Sequence, residues 1–220
     1  NWLGREKVFL FPSGFQANLA AVIGLTDRYS TVFADRLIHH SLLIGIKASG
    51  AKLKRFLHND VSDLENHLSL YHQQNPQKSP LVITESLFSM EGTSPPIQKI
   101  SEVCAKYGAK LLVDEAHSLG VMGSQGRGLC YGMSTPIVMI SGTFGKAFGS
   151  GGAFLATNKV LGEHLLQTSG AFRYTTALAP PLAAAALAAL QLIKENPTWS
   201  KDLQERSNRW RQKLIQKGWK

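Results

Sequence analysis

Lys110-Leu111-Leu112-Val113-Asp114-Glu115-Ala116-His117 is the run whose reading decides the fold. Its first four residues are too few for a helix, and the three that follow Lys110 are too uniformly apolar for an amphipathic surface. They predict a short buried parallel strand. Asp114 and His117 then leave that strand at its carboxyl end, where open α/β sheets collect their ligands. Downstream, the apolar stretch Pro136 to Ile140 predicts a second strand, which leads into Ser141-Gly142-Thr143-Phe144-Gly145-Lys146-Ala147-Phe148-Gly149. Lys146 is hemmed by Gly142, Gly145, Gly149, Gly151 and Gly152, and no acidic residue lies within five positions of it. A lysine so placed is ill suited to a surface ion pair and well suited to forming a Schiff base with an aldehyde.

Strand-like and helix-like segments alternate along the rest of the chain, as a doubly wound α/β domain requires. Strands are expected at Thr31–Ala34, Leu53–Leu57, Leu81–Thr84, Leu111–Val113, Ile137–Ile140 and Ala153–Ala156. Helices are expected at Ser13–Leu25, at His40–Ala48 closed by Gly50, at Val61–Tyr71 capped by Asn59 or Asp60, and at Ile97–Tyr107 ended by Gly108. The Ala-rich run Pro181 to Ile193 is too short to cross a bilayer and predicts a buried helix with proline in its first turn. Glu115 to Pro136 carries five glycines and little periodicity, and reads as a long functional loop. Residues 1–195 are taken as one large domain lacking its N-terminal segment, and 196–220 as a linker helix or the start of a small C-terminal domain. The abrupt start at Asn1-Trp2-Leu3-Gly4 reads as the interior of a longer protein.

The net charge of +9 is uneven: residues 201–220 hold seven Lys/Arg against Asp202 and Glu205, which is +5 of the total. A solvated helix face explains that cluster better than a nucleic-acid surface. Asp114-Glu115-Ala116-His117 also spells the acidic tetrad of DEAH-box helicases. Such an ATPase needs a Gly-x-x-x-x-Gly-Lys-Ser/Thr loop upstream, and none is present. Cys104 and Cys130 lie far apart and suggest neither a disulfide framework nor a metal site; Cys104 is expected in the core.

A lysine amine, a carboxylate and a histidine at neighbouring strand ends are the groups pyridoxal phosphate (PLP) chemistry uses. Lysine binds the aldehyde, the carboxylate keeps the pyridine nitrogen protonated, and histidine can bond the phenolic oxygen. On this set the chain resembles the α-oxoamine synthases, PLP enzymes of the aspartate-aminotransferase fold. The matching runs are Pro12–Asn18, Ala34–His39, Phe88–Gly92, Val113–His117, Gly126–Gly128, Thr143–Gly149 and Tyr174–Thr176, in the family's order and across nearly the whole chain.

The resemblance implies a fold type I large domain with a mostly parallel sheet flanked by helices. It implies Lys146, Asp114, His117 and His39 as catalytic residues, His39 stacking on the pyridine ring. It assigns the PLP phosphate to the Gly14 and Phe15 amides at a helix start, to Thr143 and, from a neighbouring subunit, to Thr176. Ser89 is assigned to the phenolic oxygen. It further implies a cytoplasmic homodimer acting on an amino acid and an acyl thioester carried by CoA or a carrier protein, with no nucleic acid or membrane as partner. His58–Val61 and Gly126–Cys130 lean toward the branch that joins L-alanine to a pimeloyl thioester for biotin synthesis. Enzymes of the glycine C-acetyltransferase, aminolevulinate synthase and serine palmitoyltransferase types, or a non-catalytic PLP-fold subunit, are the alternatives. His40 has no assignment, and His58 is expected as a loop or cap residue.

Overall fold

The computed structural model describes residues 2–219. Seven strands, β1 (Lys7–Phe11), β2 (Thr31–Asp35), β3 (Lys52–Phe56), β4 (Leu81–Glu85), β5 (Lys110–Asp114), β6 (Ile137–Thr143) and β7 (Ala153–Thr157), form one sheet. Their order across it is β1-β7-β6-β5-β4-β2-β3. From β3 to β6 every pairing is parallel, while β7 runs antiparallel to both β6 and β1.

Helices α1 (Gly14–Leu25), α2 (His40–Ser49), α3 (Val61–Gln74) and α4 (Ile97–Lys106) link the parallel strands. They cover both faces of the sheet, which is why β2, β4 and β7 are buried along their whole length. Successive strand residues feed opposite layers. Leu111 packs with Phe33, Val82, Leu64, Leu68 and Ile100, whereas Leu112 packs with Val32, Ile83, Ala17, Leu42 and Ile46. Cys104 lies in the first layer, where burial pushes its thiol up to about 12.

Local chemistry sets the helix ends. Ser13 and Asp60 accept backbone N–H bonds from Gln16 and Asp63 and so cap α1 and α3. Gly45 lets α2 approach α1: a Cβ there would sit 2.8 Å from the Val22 Cβ.

The expected α/β class and all six expected strands are found, five with slightly longer ends and β3 shifted by one residue toward the N-terminus. Four elements are additional: β1, a 3-10 turn at Ser124–Gly126 within the long loop, and the helices α5 (Lys159–Thr168) and α6 (Gly170–Arg173) that follow β7. The expected helix at Pro181–Ile193 is present as α7 (Pro180–Glu195), but among its residues only Ala186 is buried. Alanine is also the strongest helix former, so that composition records helix propensity rather than burial. The basic terminal segment forms α8 (Trp199–Gln216), with most of its residues exposed. No helix among the described residues is long and apolar enough to cross a membrane.

Candidate active site

The carboxyl ends of β2, β4, β5 and β6 lie side by side, and the loops leaving them build one cleft. Gly14, Phe15, Asn18, His39, Glu85, Asp114, Ala116, His117, Ser141, Gly142, Thr143 and Lys146 line it. Seven expected site residues, Gly14, Phe15, His39, Asp114, His117, Thr143 and Lys146, therefore meet in one place although 132 positions separate the first from the last. Ser89 and Thr176 do not line this cleft: both are exposed, Ser89 in the loop after β4 and Thr176 between α6 and α7.

Asp114 is the last residue of β5 and is 5 % exposed. Its Oδ1 accepts the Ala116 N–H at 2.9 Å, and its Oδ2 accepts from Asn18 Nδ2 at 2.7 Å. The carboxylate is thereby fixed on two sides, with no ion pair to it among the described residues. Lys146 occupies the β6–β7 connection, where Gly149 N–H bonds its carbonyl at 3.0 Å while its side chain stays exposed at the cleft. Thr143 holds that connection closed: its hydroxyl donates to the Gly152 carbonyl at 3.0 Å and accepts the Gly145 N–H at 3.1 Å.

Burial pushes the His117 ring below the usual histidine value. The nearby charge of Lys146 adds to that effect, Asp114 opposes it, and His39 contributes a smaller push downward. His39 precedes α2 and uses its Nδ1 as the helix cap, accepting the Ser41 N–H at 3.3 Å.

At the start of α1, Ser13 takes the N–H groups of Gln16 and Ala17 through its hydroxyl and carbonyl oxygens. The Gly14 and Phe15 N–H groups precede the first intrahelical bonds and point outward as the positive end of the helix. A Cβ on Gly14 would reach within 3.8 Å of Thr143 Cβ, so the absent side chain leaves a cradle between α1 and the end of β6.

Five cleft residues carry no expected role, Asn18, Glu85, Ala116, Ser141 and Gly142, and two of these bond expected site residues through their side chains. Glu85 ends β4 beside Asp114, and its Oε1 accepts the His39 N–H at 2.6 Å. Burial first, and then the Asp114 charge, push its carboxyl up to about 8. Asn18 is the other. A single Glu at a strand end and a single Asn inside a helix carry no local signal; only the sheet register and the α1 contact bring them to the cleft.

Two further side chains support the site from outside. His58, expected as a loop or cap residue, bridges the buried Asp35 at 2.9 Å and Thr93 at 2.7 Å, tying the β3–α3 loop to the loop after β4. Glu115 is wholly buried and turns away from the cleft. Its Oε1 accepts the N–H groups of Leu129 and Cys130 at 2.6 and 3.1 Å, which folds the long loop back onto the sheet. The tetrad that resembles a helicase motif thus splits into cleft groups, Asp114 and His117, and a loop anchor, Glu115.

The donor set is two-ended. Free backbone N–H groups and a hydroxyl stand at the Gly14–Thr143 side, and an amide-held carboxylate stands at Asp114. An amine and two imidazoles also face the space. That arrangement fits a phosphorylated pyridine aldehyde: an anion at the helix start, a protonated ring nitrogen at Asp114 and a carbonyl within reach of Lys146. The residues present fit PLP.

Comparisons with known proteins agree. The profile of the family described as aminotransferase class I and II matches residues 2–220. An 8-amino-7-oxononanoate synthase from Methylobacillus flagellatus is 40% identical over 197 residues, covering 89% of this chain and 49% of its own length. A Sphingomonas wittichii serine palmitoyltransferase superposes with a TM-score of 0.93 at 31% identity, covering 100% of this chain and 55% of that one. A serine palmitoyltransferase from S. paucimobilis, solved with PLP and myriocin bound, matches with a TM-score of 0.81 at 30% identity, over 87% of this chain and 48% of its own. The chain spans about half the length of the curated relatives it matches.

Proposed function

The chain belongs to the aminotransferase class I and II family, in its α-oxoamine synthase branch, and on that premise we propose that it forms the PLP-binding part of an 8-amino-7-oxononanoate synthase. The reaction proposed is the decarboxylating condensation of L-alanine with a pimeloyl thioester in biotin synthesis. The observation that carries this reading is the convergence of Lys146, Asp114, His117, His39 and the Gly14–Thr143 cradle in one cleft at the strand ends.

PLP, when bound, supplies an aldehyde that reacts with amines and a pyridinium that withdraws electrons from the amino acid's Cα. Asp114 holds the proton at the pyridine nitrogen, and Asn18 and the Ala116 N–H keep its carboxylate oriented. Lys146 Nζ would hold the aldehyde carbon and, as a free amine, would be placed to move the Cα proton. His39 covers one face of the ring. His117, kept neutral by burial and by Lys146, bonds the phenolic oxygen. The Gly14 and Phe15 amides and Thr143 bind the phosphate. Ser89 and Thr176 lie outside this cleft. Ser89 is assigned to the phenolic oxygen, and Thr176 to the phosphate of a neighbouring subunit in a homodimer of cytoplasmic location.

The identity of about two-fifths to synthases of the biotin pathway supports alanine and a pimeloyl thioester. The high superposition on a serine palmitoyltransferase supports a second reading, serine with a long-chain thioester. The deciding experiment assays the complete protein with alanine, glycine and serine, each against acetyl, succinyl, pimeloyl and palmitoyl thioesters. One methyl group in an apolar pocket discriminates by only about 1–3 kcal/mol, so relative kcat/KM decides. The expected preference is alanine with the pimeloyl thioester. Preference for serine with the palmitoyl thioester establishes the second reading, and preference for glycine overturns both.

A further inference from the structure

Asn18 sits on α1 at 4 % exposure, with its side-chain amide between Asp114 and Ser41. Its Nδ2 donates to Asp114 Oδ2 at 2.7 Å and to Ser41 Oγ at 2.9 Å. Ser41 Oγ in turn lies 2.7 Å from Nδ1 of His39, the same nitrogen that accepts the Ser41 backbone N–H. Four side chains therefore join the carboxylate at the end of β5 to the imidazole ahead of α2. Two of the links, Asn18 and Ser41, are themselves buried.

The direction of each bond in this chain follows from its first member. Asp114, as a carboxylate, can only accept. Asn18 must therefore turn its NH2 toward it, and both amide hydrogens are used, one on Asp114 and one on Ser41. Ser41 Oγ accepts from Asn18, and because His39 Nδ1 already accepts the Ser41 backbone N–H at 3.3 Å, the hydrogen between Oγ and Nδ1 is the hydroxyl's. A ring nitrogen that meets both an O–H and an N–H is an acceptor, so the neutral ring carries its hydrogen on Nε2. The opposite polarity would set the Asn18 carbonyl against a buried carboxylate, an unfavourable contact where little water screens it. The polarity so derived has a cost: Asn18 Oδ1 is buried with no hydrogen-bond partner among the described residues. Unpartnered buried polar atoms are exceptions that call for a reason, and aiming both amide hydrogens at Asp114 and Ser41 supplies one.

We propose that Asn18 and Ser41 are positioning residues that hold the Asp114 carboxylate and fix His39 as its Nε2–H tautomer. The charge at one end of the PLP cleft thereby sets which ring nitrogen the histidine presents at the other. The role in the reaction rests on the reading that this cleft holds PLP; the tautomer does not.

The test uses the complete protein with nitrogen-15-labelled histidine, first cofactor-free and then with PLP, and the His39 signals are identified by comparison with His39→Gln. The expected spectrum shows Nδ1 as the bare acceptor and Nε2 bearing the proton. Ser41→Ala and Asn18→Ala should each shift His39 to a mixture of tautomers. Asn18→Ala should also weaken PLP binding by on the order of tenfold, and should change it little in the Asp114→Asn background, because it acts through that carboxylate. A wild-type proton on Nδ1, or a tautomer unmoved in both variants, overturns the link to His39. An equal effect of Asn18→Ala on PLP affinity in both backgrounds overturns the link to Asp114. Should Asn18→Ala not fold, Ser41→Ala alone decides the tautomer. Should the wild-type protein bind no PLP, the functional reading fails while the cofactor-free spectrum still decides the tautomer.

Discussion

Glu85 and Asp114 stand opposite each other on adjacent parallel strands, and both acids line the same cleft. Two carboxyl groups so placed resist ionising together. Glu85 is the one that keeps its proton: burial and the Asp114 charge outweigh the His39 N–H bond and push it up to about 8. The cleft therefore holds one neutral acid next to one anion, and the proton on Glu85 spares Asp114 a second negative charge beside it.

That pairing predicts a pH dependence of stability. The folded value of about 8 lies above the ordinary 4.5, so folding takes up a proton between the two. The contribution of Glu85 is complete at low pH and is lost as pH rises toward the folded value, at no more than about 1.4 kcal/mol per pH unit. Glu85→Gln keeps the neutral shape and removes this slope. Urea midpoints of the cofactor-free protein, measured from about pH 5 to about pH 8, should fall in the wild type relative to the variant. Parallel curves would show that Glu85 is ionised in the fold.

Gly14 and Thr143 predict a selective loss of phosphate binding. A methyl group at Gly14 meets Thr143 at an ordinary contact distance, so Gly14→Ala should fold while filling the cradle. PLP affinity is expected to drop by roughly tenfold, the scale of a lost charge-assisted hydrogen bond. Affinity for pyridoxal, which lacks the phosphate, should change much less. Equal losses for both ligands place the phosphate elsewhere.

Glu115 predicts a stability effect separable from the cleft. Removing its carboxylate strands the buried N–H of Cys130 and the N–H of Leu129, and Glu115→Ala should cost about 2–4 kcal/mol in unfolding free energy. Gly128 closes the same turn at φ +82, and a Cβ there would fall 2.3 Å from Glu115 Oε2. Gly128→Ala should therefore destabilise as well. Denaturant unfolding of both variants checks this, and wild-type midpoints would mean the long loop is held by other contacts.

These residues also show what was legible in the sequence. Leu111–Val113 and Pro136–Ile140 announce strands because a strand buried on both faces must be apolar throughout, and their ends fix where Asp114, His117 and Lys146 emerge. Glycine beside lysine and serine before a helix are local signals, so the β6–β7 connection and the α1 start could be read directly. Glu85 and Asn18 could not, because their roles exist only through register and packing. β1 alternates between half-buried and exposed positions up to the buried Phe11 and borrows its pairing from β7, nearly 150 residues away. The Ala-rich α7 reads as a core helix yet is mostly exposed, because alanine favours helix and core alike.

Lys146 carries the central claim, and borohydride reduction of the complete, PLP-treated protein followed by peptide mapping tests it most directly. The expected result is PLP fixed covalently on Lys146 Nζ, within the peptide containing Ser141 to Gly149, and no label at that site in Lys146→Arg. PLP fixed on another lysine, with Lys146 unmodified, would contradict the assignment of this cleft.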